Sequence, residues 1–510
     1  MILDDEKLKS PRGAAPRWPT LDELFRGAAE RRAHAAAVTD PPDRYRFTDG
    51  PPRRLSFAEV DQAVTALADR LKAFGLPLDS VVGLQLGNTV EFVVALLGIM
   101  RAGLIPAPLP LLWRRAETVE ALGRIGARGL VTCHRIGTVD HGELATHIAA
   151  DLFSIRFVGA FGRDLPDGVV PLDDIFLAQS EPASLQRRNG DPADHIAVVT
   201  FETTANGIMP VARSHAQLLA GGLAAALEGR IRPDAGILGT VAFSSFAGLA
   251  TTFVLWLITG GTLSLHHPFD ADWLTTQCES DGCEVIVLPG PLLGRIANAG
   301  LLSGQHEPKA IAVWRNPERI VANARAGFGD VIDVHAFGEI GIVPIRRKAG
   351  GTPSPLVEGA IRLPTEQYEA LPLVEVARIA DTLALGGAMV PRHAFPLGSD
   401  FGPVPSGTGF VDTGYVCRTD AEGNLILDGP PAGLVAIGGY RFVLKDLQEV
   451  VGAAGEVGTL AVLPDTLAGY RLAGIASDRD AVRHALAAAG TNALVETAFS
   501  ERQGDRASAA

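Results

Sequence analysis

Seven short apolar runs recur along the chain: ARGLVTC (127–133), IRFVGAF (155–161), HIAVVTF (195–201), GTLSLHH (261–267), CEVIVLPG (283–290), KAIAVW (309–314) and DVIDVHAFG (330–338). Segments of helical character separate them. A strand apolar on both faces must be covered on both faces, so this alternation predicts mostly parallel sheets clad in helices, an α/β fold. The chain has 510 residues, more than the roughly 250–300 that one core organises, so a second, smaller domain is expected.

Two stretches give this pattern local detail. LSFAEVDQAVTALADRLKAFG sets Phe57, Val60, Val64, Leu67, Ala68 and Leu71 at helical spacing, with Ser56 as cap and Gly75 as stop. SVVGLQLG then reads as a buried strand, and NTVEFVVALLGIMRAG as a helix capped by Asn88 and closed by Gly103. From about residue 400 the texture turns to Gly- and Pro-rich hairpins, in which DAEGN marks a turn between two strands. The expected layout is an N-terminal domain over 1–428 with a β-rich segment at about 345–428, then a small α+β domain over 429–510. A polar leader and a polar tail flank it.

Composition narrows the function classes. Forty-five basic and 58 acidic residues give a net charge of -13, and no basic patch interleaves with aromatics, so nucleic acid is not an expected partner. Cys133, Cys278, Cys283 and Cys417 form no C-x-x-C pair, which argues against a disulfide framework or a zinc site and suits a reducing cytosol. The first residues lack the basic-then-apolar order of a secretion signal, so a cytoplasmic protein is expected. Ala242–Leu265 carries no charge, but its serines and glycines favour a buried helix and strand over a membrane span. His266 and His267 have no ligand partner at metal spacing and read as loop residues.

VVTFETTANGIMPVARSHAQ (198–217) runs from a strand through a small polar loop towards a helix, where a chain would cradle a phosphate. A phosphate cradle wants glycines and a lysine. This one offers Gly207 alone, and the only lysines of the chain are Lys7, Lys9, Lys72, Lys309, Lys348 and Lys445.

Three blocks resemble the adenylate-forming superfamily of acyl-CoA synthetases, luciferases and peptide-synthetase adenylation domains. They are LSFAEVDQAVTALADRLKAFGLPLDSVVGLQLGNTVEFVVALLGIMRAGLIPAPLP, GFVDTGYVCRTDAEGNLILDG and IGGYRFVLKDLQEVV. The resemblance spans nearly the whole chain. It implies a two-step reaction, in which a carboxylate attacks the α-phosphate of ATP and a thiol such as coenzyme A then takes the acyl group. It also implies a C-terminal domain that swings about a hinge between the steps.

The charge-bearing groups of that chemistry are missing from the matched positions. Against the family's T-S-G-T-T-G-x-P-K-G-x-x-x-S-H loop, closed here by Ser214 and His215, Glu202 and Thr203 face S-G, Asn206 replaces a glycine and Met209 the lysine. Glu202 would set a carboxylate beside a triphosphate, and like charges at 4 Å repel by about 1 kcal/mol even in water. Phe337 and Gly338 keep the aromatic-Gly of the magnesium motif, but Ile340 and Gly341 stand where Thr and Glu belong, and Glu339 is the nearest carboxylate. Tyr415 takes the place of the ribose-binding aspartate, Pro430 that of its assisting arginine, Ser245 that of a histidine, and Ala432–Gly433 that of the hinge Lys-Asp. No lysine follows Lys445 to supply the C-terminal catalytic one. Losing one preorganised donor to a developing anion costs on the order of 3 kcal/mol, so these losses together leave little rate.

The expectation is therefore an acyl-CoA synthetase homologue that binds an acyl group or acyl thioester, with weak or absent ATP-dependent adenylation. One alternative is a working carboxylate-CoA ligase using backbone amides and Arg213, Arg315 or Arg441. Another is ATP-independent acyl transfer from a thioester. Catalytic candidates are Thr204, His215 and Glu339, with Ser214 read as a helix cap and Glu339 otherwise as a solvated loop charge. Ligand-binding candidates are Thr203, Thr204, Asn206, Gly207, Phe337, Gly338, Tyr415, Gly439 and Arg441, the first three as an anion site at a helix start or an ordinary capped turn. No metal site is expected, and ATP, Mg²⁺ and CoA enter only with the ligase alternative. Expected partners are a small carboxylate or acyl thioester, and an acyl carrier protein or an active enzyme.

Overall fold

The computed structural model describes residues 18–500, other than 179–189, 303–306, 322–327, 365–370, 400–401, 403–407, 454–457 and 466–467. The polar leader and tail and part of the Gly- and Pro-rich stretch after residue 400 thus lie outside the described residues.

Six of the seven apolar runs become strands of two sheets, and HIAVVTF instead joins a separate antiparallel hairpin. Val81–Gln85, Gly129–Cys133 and Phe157–Phe161 are buried at every position and form, with Ile105–Pro108 and Val170–Pro171, an all-parallel five-stranded sheet. Ala36–Thr39, Leu263–Leu265, Ile237–Gly239, Val285–Pro289, Lys309–Trp314 and Val331–Phe337 are the parallel interior of an eight-stranded sheet with an antiparallel strand at each edge. Continuous apolar strands of this kind have no face to give to water, which is why they sit inside.

Helices cover them. Phe57–Ala73 starts on a capping box, with Ser56 Oγ accepting from Glu59 N–H and the Glu59 carboxylate accepting from Ser56 N–H, and ends before Gly75 at φ +67°. It packs against Val90–Arg101 and touches Ala36–Thr39 of the large sheet, while Val90–Arg101 touches two strands of the smaller one. Asn88 does not cap this second helix. Thr89 holds the cap position, and the Asn88 amide instead donates to Val241 O at 3.1 Å, tying the helix start to the end of a large-sheet strand. Ala242–Leu265 is a buried helical stretch, Phe246–Thr259 with a wide π turn, followed by the strand Leu263–Leu265. No helix among the described residues is long and apolar enough to cross a membrane.

Strands Gly359–Leu363, Leu371–Ile379, Thr382–Gly386, Val411–Thr419 and Leu425–Leu427 make an antiparallel five-stranded sheet, with the turn at DAEGN where the sequence puts it. Among the described residues from Leu434 onward, two hairpins and three helices enclose a core of their own, which includes Val435, Ile437, Leu447, Val451, Val482, Leu486 and Phe499. This C-terminal lobe docks on the rest by backbone as well as side chains: Ala116 N–H donates to Gly490 O and Ala493 N–H to Leu112 O.

Candidate active site

Parallel strands of the large sheet all end on one side, and ligands of open α/β sheets bind outside those carboxyl ends. A cavity of about 830 Å³ lies there. Thr240, His266, Pro289, Arg315 and Gly338, each at or just past a strand end, form its floor, Phe201–Thr203 one wall, and Ala436, Gly438–Arg441, Pro464, Asp465, Ala468 and Gly469 of the C-terminal lobe the roof.

The 198–217 stretch is not a loop leading into a helix. It is a hairpin, Ile196–Thr204 paired with Gly207–Ser214, with Glu202 opposite Met209 and Thr204 opposite Gly207. The helix begins only at His215, on a capping box of Ser214 and Gln217. Thr203, Thr204 and Asn206 thus lie on the hairpin and its turn, separated from that helix start by the strand Gly207–Ser214, which corrects the anion-at-a-helix reading. The turn's polar groups are taken: Thr204 Oγ donates to Gly207 O and accepts from Asn206 N–H, and Ile208 N–H donates to the Glu120 carboxylate. Arg124 donates to Asn206 O.

The other sequence candidates divide. Thr203, Gly338, Glu339, Gly439 and Arg441 line the cavity; Thr204, Asn206, Gly207, Phe337, Tyr415 and His215 do not, nor do Met209 and Ile340. The His215 ring is buried, its Nδ1 accepting from Leu21 N–H. Phe337 and Tyr415 are buried edge to face, ring centres 5.3 Å apart. Glu339 is no solvated loop charge. It is 5% exposed and its carboxylate accepts from Phe246 N–H at 2.8 Å. His266 is a loop residue just past the strand Leu263–Leu265, and a buried one, with Nδ1 against the Gln277 side chain and Nε2 accepting from Asp270 N–H.

A charge network fills the hairpin side of the cavity. The Glu202 carboxylate accepts from Glu339 N–H at 2.5 Å and pairs with the Arg441 guanidinium at 3.1 Å. Arg441 also donates to the Tyr415 hydroxyl at 3.2 Å. Glu339 lies 3.8 Å from Arg213, whose guanidinium stacks over Phe246 and donates to Glu339 O. Burial raises the Glu339 carboxyl above the usual range, Arg213 opposing and Glu202 adding to the rise. Burial also brings Arg213 down to about 10 and lifts the Tyr415 phenol to about 12. Gly338, at φ +56°, makes this proximity possible, since a Cβ there would fall 1.9 Å from Glu202 Oε2.

Among the described residues that line the cavity are the carboxylates of Glu202 and Glu339 and no lysine. Among the described residues no group of three or more His, Cys, Asp or Glu is arranged to hold a metal ion. The cavity's remaining cations, Arg315 and Arg319, come from WRNPER just past the strand Lys309–Trp314. Arg315 is named in the sequence reading only as an ATP-holding alternative, and Arg319 and Asn316 are absent from it. The available signal is a polar cluster directly after an apolar parallel strand.

Comparison with known proteins places these features. A family model described as AMP-binding enzyme matches residues 25–462. The salicyl-AMP ligase / salicyl-S-ArCP synthetase of Mycobacterium tuberculosis is 25% identical over 496 residues, covering 90% of this chain and 82% of that protein. Chondramide synthase cmdD of Chondromyces crocatus is 23% identical over 88% of this chain, which spans only 11% of that protein. Among solved structures, the amide bond synthetase McbA of Marinactinospora thermotolerans superposes with a TM-score of 0.69 at 19% identity, over 94% of both chains. MatB of Rhodopseudomonas palustris gives 0.62 at 19% identity, over 92% of each. These likenesses show a shared fold.

Proposed function

This chain belongs to the AMP-binding enzyme family, and from that premise we propose that it holds a small carboxylate or its acyl thioester in the strand-end cavity and performs little or no ATP-dependent adenylation. The observation that carries this reading is the Glu202–Arg441 pair. In the hairpin that resembles the family's phosphate loop, the chain supplies its own anion to its own cation. A nucleotide triphosphate would have to displace Arg441 from Glu202 and lie against an uncompensated carboxylate, which is repulsive in a partly desolvated site. The amides at the hairpin tip are supported as unavailable by their bonds to Thr204 and Glu120.

A second reading is favoured by one comparison. The relative that matches 90% of this chain is described as a ligase forming salicyl-AMP and loading a carrier protein. On that reading Arg213, Arg315 or Arg441 takes the charge role of the missing lysines, Glu202 moves aside, and an acyl carrier protein or CoA accepts the acyl group. Transfer from a ready-made thioester is the ATP-free variant of the same cavity.

Carboxylate-dependent exchange of labelled pyrophosphate into ATP separates these readings. The proposal expects no exchange above background across a panel of aryl and alkyl acids, with a rise in melting temperature on adding acyl-CoA or acyl-AMP but not ATP and Mg²⁺. Robust exchange overturns it in favour of the ligase.

A further inference from the structure

The cavity contains cations that the internal pairs do not use. Glu202 is matched by Arg441 and Glu339 faces Arg213, which leaves Arg315 and Arg319. Among the described residues neither has a carboxylate within ion-pair distance. Arg315 donates to Ser245 Oγ at 2.6 Å and to Gly439 O at 3.1 Å; Arg319 donates to Gly469 O at 2.9 Å and lies over the Tyr470 ring. These acceptors are neutral, and a desolvated guanidinium is stabilised far more by an oxyanion, to which it presents two parallel N–H groups. Burial depresses the ionisation of Arg315, with Glu339 only partly restoring it. Between the two arginines, Asn316 also lines the cavity; its Nδ2 donates to Ala436 O, while its buried Oδ1 has no hydrogen-bond partner. Trp314, Phe269 and Leu292, which line the same cavity, are apolar.

We propose that Arg315 and Arg319 form an oxyanion-binding subsite at the seam between the strand ends and the C-terminal lobe, taking the anionic group of a ligand whose apolar body lies against Trp314 and Phe269. This deepens the proposed acyl-binding function and rests on it for the ligand's apolar part. The oxyanion is either the carboxylate of a free acid or a phosphate of a thioester carrier. Because the acceptors of both arginines include C-terminal lobe carbonyls, a ligand bound there also ties the lobe to the sheet.

The test is calorimetric titration of the full chain and its R315Q, R315K and R319Q variants with benzoate, hexanoate, inorganic phosphate and coenzyme A. Benzyl alcohol serves as the neutral counterpart of benzoate. The expected result is binding of at least one anion by wild type, weakened about tenfold or more in R315Q and less in R315K, which keeps the charge but not the second parallel N–H. Benzoate or hexanoate behaving this way identifies a carboxylate; phosphate and coenzyme A doing so instead identify a phosphate. The subsite is overturned if none of the four anions binds wild type. It is equally overturned if benzyl alcohol binds as well as benzoate with no other anion sensitive to R315Q, or if binding is unchanged in both R315Q and R319Q. If R315Q loses the wild-type circular dichroism, R319Q decides alone. Pyrophosphate exchange is measured on the same wild-type sample, so active adenylation would overturn the proposed function while the titrations still judge the arginines.

Discussion

The Glu202 carboxylate and the Arg441 guanidinium meet at 3.1 Å, joining the Ile196–Thr204 hairpin strand to the C-terminal lobe, with side chains only 9% and 12% exposed. Although burial opposes it, Glu202 and then Tyr415 hold Arg441 protonated well above the ordinary arginine range. Removing the cation strands a buried carboxylate. Arg441→Gln should therefore cost about 3 kcal/mol, read as a lower urea midpoint, whereas Glu202→Gln, which keeps an acceptor for Glu339 N–H, should cost less. Losses that simply add in the Glu202→Gln, Arg441→Gln double variant would mean the pair does not work as a charge pair.

Gly338 is the second check on that network. At φ +56° its Cβ would meet Glu202 Oε2 at 1.9 Å and Arg441 Nη1 at 2.6 Å, while Gly75, at φ +67°, has nothing within 4 Å. Gly75→Ala should show the backbone cost alone, about 1 kcal/mol. Gly338→Ala should add the loss of the ion pair, about 2 kcal/mol or more in total. A drop in melting temperature no larger than that of Gly75→Ala would contradict the close approach.

Glu117 gives the seam between lobes a pH dependence. Its carboxylate accepts from Arg114 N–H at the start of the helix Arg115–Arg124, and Asn492 of the C-terminal lobe donates to it. Burial lifts it from 4.5 to about 6 against those hydrogen bonds. The folded state then binds more protons than the unfolded state between these values, so this contribution is full below pH 4.5 and is lost as pH rises through about 6. With partial solvent screening the change is about 1 kcal/mol. Glu117→Gln, which keeps the acceptor oxygen, should flatten that part of the stability profile measured by urea titration from pH 4.5 to 7.

Ser214 and His215 test structure against catalysis. Ser214 caps the helix His215–Gly229 and His215 accepts from Leu21 N–H, and neither lines the cavity. Ser214→Ala should cost about 1 kcal/mol of stability while leaving acyl-CoA affinity at its wild-type value. A selective loss of ligand binding without a stability change would return these residues to the site.

The sequence by itself determined the elements whose causes are local. Runs such as VVGLQ and GLVTC are mostly apolar and become strands buried at every position, and Ser56, Ser214, Gly75 and the DAEGN turn carry their caps and breaks in neighbouring residues. Asn88 shows the limit of that logic, because its amide is claimed by Val241, far along the chain, before it can serve a local cap. The sequence also shows how scarce lysine is, with none between Lys72 and Lys309. Only the tertiary structure decided the charge pairing: that Glu202 is matched by Arg441, that Glu339 is buried, that Glu120 and Arg124 clamp the hairpin tip, and that Arg315 and Arg319 line the cavity and donate to neutral acceptors. Periodicity and capping are written in residues a few positions apart, whereas desolvation and charge pairing depend on which distant segments the folded chain brings together.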